Sequence, residues 1–155
     1  MIYMIWAMDE ENIIGFQNKI PWHCKEDLLY FKETVKDYPV VMGYNNYISM
    51  KGYYKKRPFP YKETYVMSLG PIDDPQVKVI SSIDPILELK EDVFIVGGAY
   101  TYKQFYPYAD KLYISYIKGK HQGDTFIDFL NLDEWTLTSE RTTEEVRYTI
   151  FERRA

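Results

Sequence analysis

The chain has 155 residues, 46% of them hydrophobic and 27% charged, with a formal net charge of −4. That length and balance predict one domain spanning 1–155 with a real core, and exclude a disordered or low-complexity chain. The acidic surplus argues against nucleic acid or an anionic membrane as the main partner.

Residues 2–8 are a continuous apolar run with no basic segment before it, which predicts a buried first strand and not a signal peptide. No segment is long enough to span a bilayer, so a cytoplasmic protein is expected. A long connection follows over 9–24, and a second lies at 51–62; both exceed ordinary linker lengths and are expected to face a ligand. The first holds Cys24, the only cysteine, so no intramolecular disulfide can form. With just His23 and His121 beside it, no metal site is expected.

Pro21-Trp22 precedes a helix predicted over 25–36. On it Leu28, Phe31 and Val35 form an apolar stripe that should turn inward and carry Asp27 along. A carboxylate against an apolar wall needs a cationic or hydrogen-bonding partner, such as the amidine-like edge of a ligand. The alternative is an acid in a first helical turn, where the helix dipole favours it.

Further strands are predicted at 39–43, 63–68, 77–80, 92–96, 110–117, 134–140 and 146–152, and helices at 45–50, 84–89 and 99–106. The first five strands are separated by helices or long connections, which predicts a mostly parallel sheet. The last two join through 141–144 and predict an antiparallel hairpin. Two strands end in glycine: Val40-Val41-Met42-Gly43 and Val93-Phe94-Ile95-Val96-Gly97-Gly98, the second leading straight into a helix. Backbone can approach a ligand at such turns, and free N–H groups there suit a phosphate. The pattern lacks the third glycine of a Rossmann fingerprint, and a plain turn is the other reading. Lys51, Lys55, Lys56, Arg57 and Lys62 form a basic rim suited to a small anion, or a solvated loop.

These stretches, with Ile13-Ile14-Gly15, Pro21-Trp22, Glu26 to Lys32, Ser49, Arg57-Pro58-Phe59-Pro60, Leu112 to Ser115, Gly123-Asp124-Thr125 and Phe151 to Arg154, resemble the dihydrofolate reductase family nearly end to end. The resemblance implies an α/β single-domain fold: a mostly parallel eight-stranded sheet, an antiparallel C-terminal hairpin and about four flanking helices. It implies hydride transfer from NADPH to 7,8-dihydrofolate, with antifolates as further ligands; no interface signature stands out in the sequence, so a monomer is expected. Asp27 matches the family's active-site acid, Trp22 the tryptophan that holds a water near it, and Ser115 the usual Thr that hydrogen-bonds the acid. The implied substrate site adds Ile5, Ala7, Leu28, Phe31, Lys32, Met50, Arg57, Phe59, Lys62, Val96 and Tyr102.

The implied cofactor site comprises Ala7, Ile14, Gly15, Asn18, Ile20, Gly43, Tyr44, Asn45, Asn46, Met67, Ser68, Leu69, Val96, Gly97, Gly98, Ala99, Tyr100, Thr101, Tyr102 and Thr125. Departures from the family pattern cluster there. Lys62 stands for the arginine that clamps the substrate's glutamate, and Tyr44, Leu69 and Tyr100 replace partners of the 2′-phosphate. Asp73-Asp74 adds negative charge nearby, so NADH is a candidate second cofactor. A pteridine or pyrimidine reductase of similar fold, and a nucleotide-binding module without catalysis, are the alternatives.

Overall fold

A computed structural model describes residues 1–15 and 20–154. Its main sheet has eight strands in the order β5-β4-β3-β6-β1-β7-β10-β9: β1 (Ile2–Met8), β3 (Pro39–Gly43), β4 (Glu63–Met67), β5 (Val77–Ile80), β6 (Val93–Ile95), β7 (Lys111–Ile117), β9 (Trp135–Thr142) and β10 (Val146–Arg153). Strands β5 through β7 pair in parallel, and β10 runs antiparallel to both of its neighbours. Predicted and observed strands agree to within two residues at every end.

The central strand β1 is apolar throughout because both of its faces are covered. Met4, Trp6 and Met8 enter one core with Ile86, Phe105 and Trp135; Tyr3 and Ile5 enter the other with Val35, Val40 and Tyr47. Helices α1 (Lys25–Val35) and α2 (Tyr44–Tyr53) thus cover one face, and α3 (Asp84–Leu87) and α4 (Ala99–Phe105) the other. Edge strand β9 exposes mostly polar side chains from Thr136 to Thr142, with the adjacent charges of Glu140 and Arg141 among them, which blunts further pairing.

Three differences from expectation bear on the site. The connection read as 9–24 contains a short strand, β2 (Ile13–Gly15), which pairs antiparallel with β8 (Thr125–Phe126) to form a small second sheet. Helix α2 runs to Tyr53 and not to residue 50, closed by Tyr54 N–H on the Met50 carbonyl at 2.9 Å, so Tyr53 ends a helix. Leu28 is 42% exposed; only Val35 of α1 is fully buried, so the upper part of the stripe faces an opening and not the core.

Candidate active site

The carboxyl ends of β1, β3, β6 and β7 open into one cleft between α1, α2 and α4. Two connected chambers of about 380 and 640 Å³ make it up, sharing Ile14, Ile20, Leu28, Phe31, Asn46, Met50 and Gly98. The smaller is lined by Ile5, Ala7, Trp22, Asp27, Val96, Gly97, Tyr102 and Ser115, together with Trp6, His23, Cys24 and Tyr30. The larger is lined by Gly15, Lys32, Gly43, Asn45, Ala99, Tyr100, Thr101 and Thr125, with Ser49, Tyr53, Tyr54 and Tyr61. A narrow, mostly apolar slot leading into a longer channel accepts a flat ring in one part and an extended ligand in the other.

Asp27 is the acid of the smaller chamber. Its carboxyl is held above the ordinary range, first by burial and then by repulsion from Glu26, while a hydrogen bond from the Ser115 hydroxyl pulls the other way. Ser115 reaches it because β7 pairs in parallel with β1, placing Ser115 beside Ala7 at the strand ends. A carboxylate with its charge opposed by its surroundings favours a cationic or amidine-like partner. The Tyr102 hydroxyl donates to the Ile5 carbonyl at 2.6 Å, tying α4 to β1 beneath the slot.

The two glycine turns meet: the Gly43 N–H donates to the Gly97 carbonyl at 2.8 Å. Gly97 has φ +136°, a conformation that strains any L side chain, and a Cβ there would meet Asn46 at 3.3 Å. The Asn46 side-chain amide in turn donates to the Val96 carbonyl at 3.4 Å. Backbone from β3, β6 and α4 therefore forms the channel wall, where a bulky anion can approach closely.

Seven predicted site residues lie elsewhere. Lys62 lines neither chamber; its ammonium pairs with Glu91 at 2.6 Å. Phe59 is buried in the core between the rings of Tyr47, Tyr54 and Tyr61, one layer behind the wall. Arg57 stacks on Tyr53 and Tyr54, with centroid distances of 5.6 and 4.9 Å. Tyr44 is exposed, its ring 6.3 Å from Tyr47. Met67 packs against the α3–α4 core, the Ser68 hydroxyl donates to the Gly70 carbonyl at 2.9 Å, and Leu69 is 98% exposed. Asn18 lies outside the described residues.

Lys32 does reach the channel, donating to the Tyr53 hydroxyl at 3.1 Å, and that contact lowers the tyrosine's pKa. Among the described residues it is the one lysine lining the cleft, and no arginine does. Asp74, expected to add negative charge near the cofactor site, is buried: burial raises its pKa, but Lys51 at 2.8 Å, Tyr47 at 2.7 Å and the Gln76 N–H bring it to about 2. Lys51 is thereby occupied. Sequence reasoning did not single out Tyr53, Tyr54 and Tyr61; their signal was a run of tyrosines beside the basic rim. Cys24 donates its thiol to Glu145, and Glu26 accepts from Thr143. The ligand atoms of Cys24, Glu26 and Glu145 lie within 4.8 Å of one another.

An open α/β sheet with a half-buried helix acid facing the strand end at Ser115, and a glycine-walled channel beside it, defines a nucleotide-assisted enzyme of small ring substrates. The chain belongs to the dihydrofolate reductase family, whose model, described as Dihydrofolate reductase, matches residues 1–153. It is 34% identical over 143 residues to the dihydrofolate reductase of Bacillus subtilis (strain 168), covering 90% of this chain and 82% of that protein. It is 38% identical over 137 residues to dihydrofolate reductase type 3 of Salmonella typhimurium, covering 85% and 82%. A solved structure of the Enterococcus faecalis enzyme, complexed with NADP(H) and RAB-propyl, superposes with a TM-score of 0.86 at 28% identity, covering 100% of this chain and 97% of that one.

Proposed function

We propose that this protein reduces 7,8-dihydrofolate to tetrahydrofolate with NADPH, as a monomeric single domain in the cytoplasm. The observation that carries the reading is Asp27, held above its ordinary pKa and hydrogen-bonded by Ser115 at the base of the smaller chamber. A pterin edge offers a 2-amino group and an adjacent ring nitrogen, which pair with a carboxylate through two parallel charge-assisted hydrogen bonds. Asp27 thereby orients the ring and favours proton uptake at the imine nitrogen, with Ile5, Phe31, Met50 and Val96 excluding bulk water. Trp22 holds the water that delivers the proton. Gly43, Gly97, Gly98 and Ala99 suit the pyrophosphate of the cofactor, which supplies the hydride when bound. Following the near-ultraviolet absorbance of reduced nicotinamide with dihydrofolate tests the reading; no consumption would reject it and favour a pteridine or pyrimidine reductase or a non-catalytic homologue.

The substrate's glutamate tail carries two carboxylates, and among the described residues the cationic groups near the channel mouth are Lys32 and Arg57, joined through the Tyr53 ring. Lys32→Ala is expected to raise KM for dihydrofolate about fivefold or more, a loss of ~1–2 kcal/mol for a partly exposed charged contact. A tail-less pterin should show no change. Lys62→Ala should leave both unchanged, because Glu91 occupies Lys62. Equal KM for dihydrofolate in wild type and Lys32→Ala would place the tail elsewhere.

Cofactor selectivity is expected to be relaxed. Each charge-assisted contact to a 2′-phosphate contributes ~1.5–3 kcal/mol, and about 1.4 kcal/mol is tenfold in affinity. Tyr44, Leu69 and Tyr100 offer no charge, and Lys51 is held by Asp74. NADPH should be favoured over NADH by less than about 100-fold in kcat/KM. A thousandfold preference would require a phosphate site formed by other residues.

A further inference from the structure

Asp9 directly follows β1 and is fully buried, at 0% exposure, outside the chamber that holds Asp27. Its carboxylate accepts from the N–H groups of Glu11 at 2.9 Å, Ile13 at 3.0 Å and His121 at 2.9 Å. Burial alone would raise its pKa, but these N–H donors and the His121 ring together bring it below the ordinary value. The Nδ1 atom of His121 lies 3.2 Å from the second carboxylate oxygen. Among the described residues that imidazole is the one side chain paired with Asp9. A carboxylate that only accepts requires the proton on Nδ1, which fixes both the tautomer and the ring plane.

The fixed ring has a consequence on its other side. His121 meets Trp22 edge-to-face, with centroids 5.1 Å apart and planes at 61°. Trp22 packs partly against the small core of Ile117, Val146 and Tyr148, and it lines the chamber that holds Asp27. Among the described residues, His121 is the aromatic partner outside that core. The segment carrying it is tied to the turn after β1 by further contacts: Gly119 N–H to Glu10 at 3.4 Å and Lys120 to Glu11 at 3.8 Å. Those ties are exposed and weak, so the part-buried pair of His121 with the fully buried Asp9 is the anchor.

We propose that His121 is a positioning residue for Trp22: the buried Asp9 carboxylate sets the imidazole, and the imidazole holds the indole in place at the catalytic chamber. The role goes beyond the proposed activity and rests on it only for what Trp22 does in the reaction.

The test combines a substrate-free and a kinetic measurement. In ligand-free protein, acrylamide quenching of the Trp22 emission, isolated by subtracting the Trp22→Phe spectrum, should increase in His121→Ala. In single-turnover experiments His121→Ala should slow hydride transfer about fivefold or more, with little change in substrate affinity. Combined with Trp22→Phe it should cause no further loss, because both changes remove one interaction. His121→Gln keeps an amide donor for Asp9 without the ring; it should fold with a Tm near wild type and show the same rise in quenching. Asp9→Asn should move both readouts in the same direction. Unchanged Trp22 quenching in both His121 variants, or fully additive rate losses, would overturn the proposal. If the wild-type protein turned over no dihydrofolate, the function would fall while the quenching result still decided the positioning role.

Discussion

Asp27→Asn is expected to lower kcat/KM for dihydrofolate at least about tenfold at neutral pH while raising the Tm of the ligand-free protein. The first effect follows from the lost charge-assisted pair with the pterin, ~1.5–3 kcal/mol or more. Partial recovery of rate is expected at low pH, where substrate arrives already protonated. The second follows from the raised pKa of Asp27, caused first by burial and then by Glu26. An acid with a raised folded pKa stabilises the fold least when ionised. Its penalty is absent below the unfolded value of about 4 and complete above the folded one. The gain in Tm should therefore be present at pH 7 and vanish near pH 3. Kinetics across pH and thermal melts at the two pH values check both halves, and near wild-type turnover at pH 7 would remove Asp27 from the mechanism.

Gly123→Ala is expected to be the most damaging change outside the cleft. A Cβ at Gly123 would lie 2.1 Å from Cγ2 of Ile13 and 3.0 Å from the Gly15 carbonyl oxygen. One of those atoms is backbone, so β2 must shift away from β8. That pairing is short, supported by Asp124 N–H on the Gly15 carbonyl at 2.9 Å and Ile127 N–H on the Asn12 carbonyl at 2.9 Å. Overpacking of this kind costs about 1–3 kcal/mol. Because Ile14 and Gly15 line the cleft, the shift should also slow hydride transfer at least about tenfold, through misplacement of the ring-binding wall. Single-turnover rates and melts would show it; a wild-type rate would mean that β2 can move without consequence.

The main sheet was legible in the sequence because its inner strands are apolar runs such as Ile2–Met8, and because Gly43 ends β3 and Gly97 follows shortly after β6. The β2–β8 pair was not legible: strands of three and two residues carry no periodicity of their own and exist only where tertiary contacts bring them together. Within the cleft, Asp27, Ser115, Phe31 and the glycine turns were found from pattern and resemblance. Lys62 was expected at the substrate tail, but its partner Glu91 is 29 positions away, and pattern at one position does not reveal a competing partner. Phe59 read equally well as wall or core, and the rings of Tyr54 and Tyr61 in front of it decide for core. Tyrosines gave no directional signal, since each can cover apolar surface anywhere with its hydroxyl wet.

The strand order also governs how the chain can fold as it is synthesised. β1 is made first and lies at the centre, yet its neighbours are β6, with Ile2 opposite Val93, and β7, with Met4 opposite Leu112. Until some ninety residues have followed it off the ribosome, this very apolar strand has neither of its partners. β9 attaches to the sheet only through β10, so the second-last strand must wait for the last. Nearly every pairing is long-range, a topology that folds slowly and leaves sticky edges exposed meanwhile. Shortening the chain within Val146–Arg153 would therefore do more than trim an edge: it would strand β9 and leave the backbone edge of β7 open to other copies.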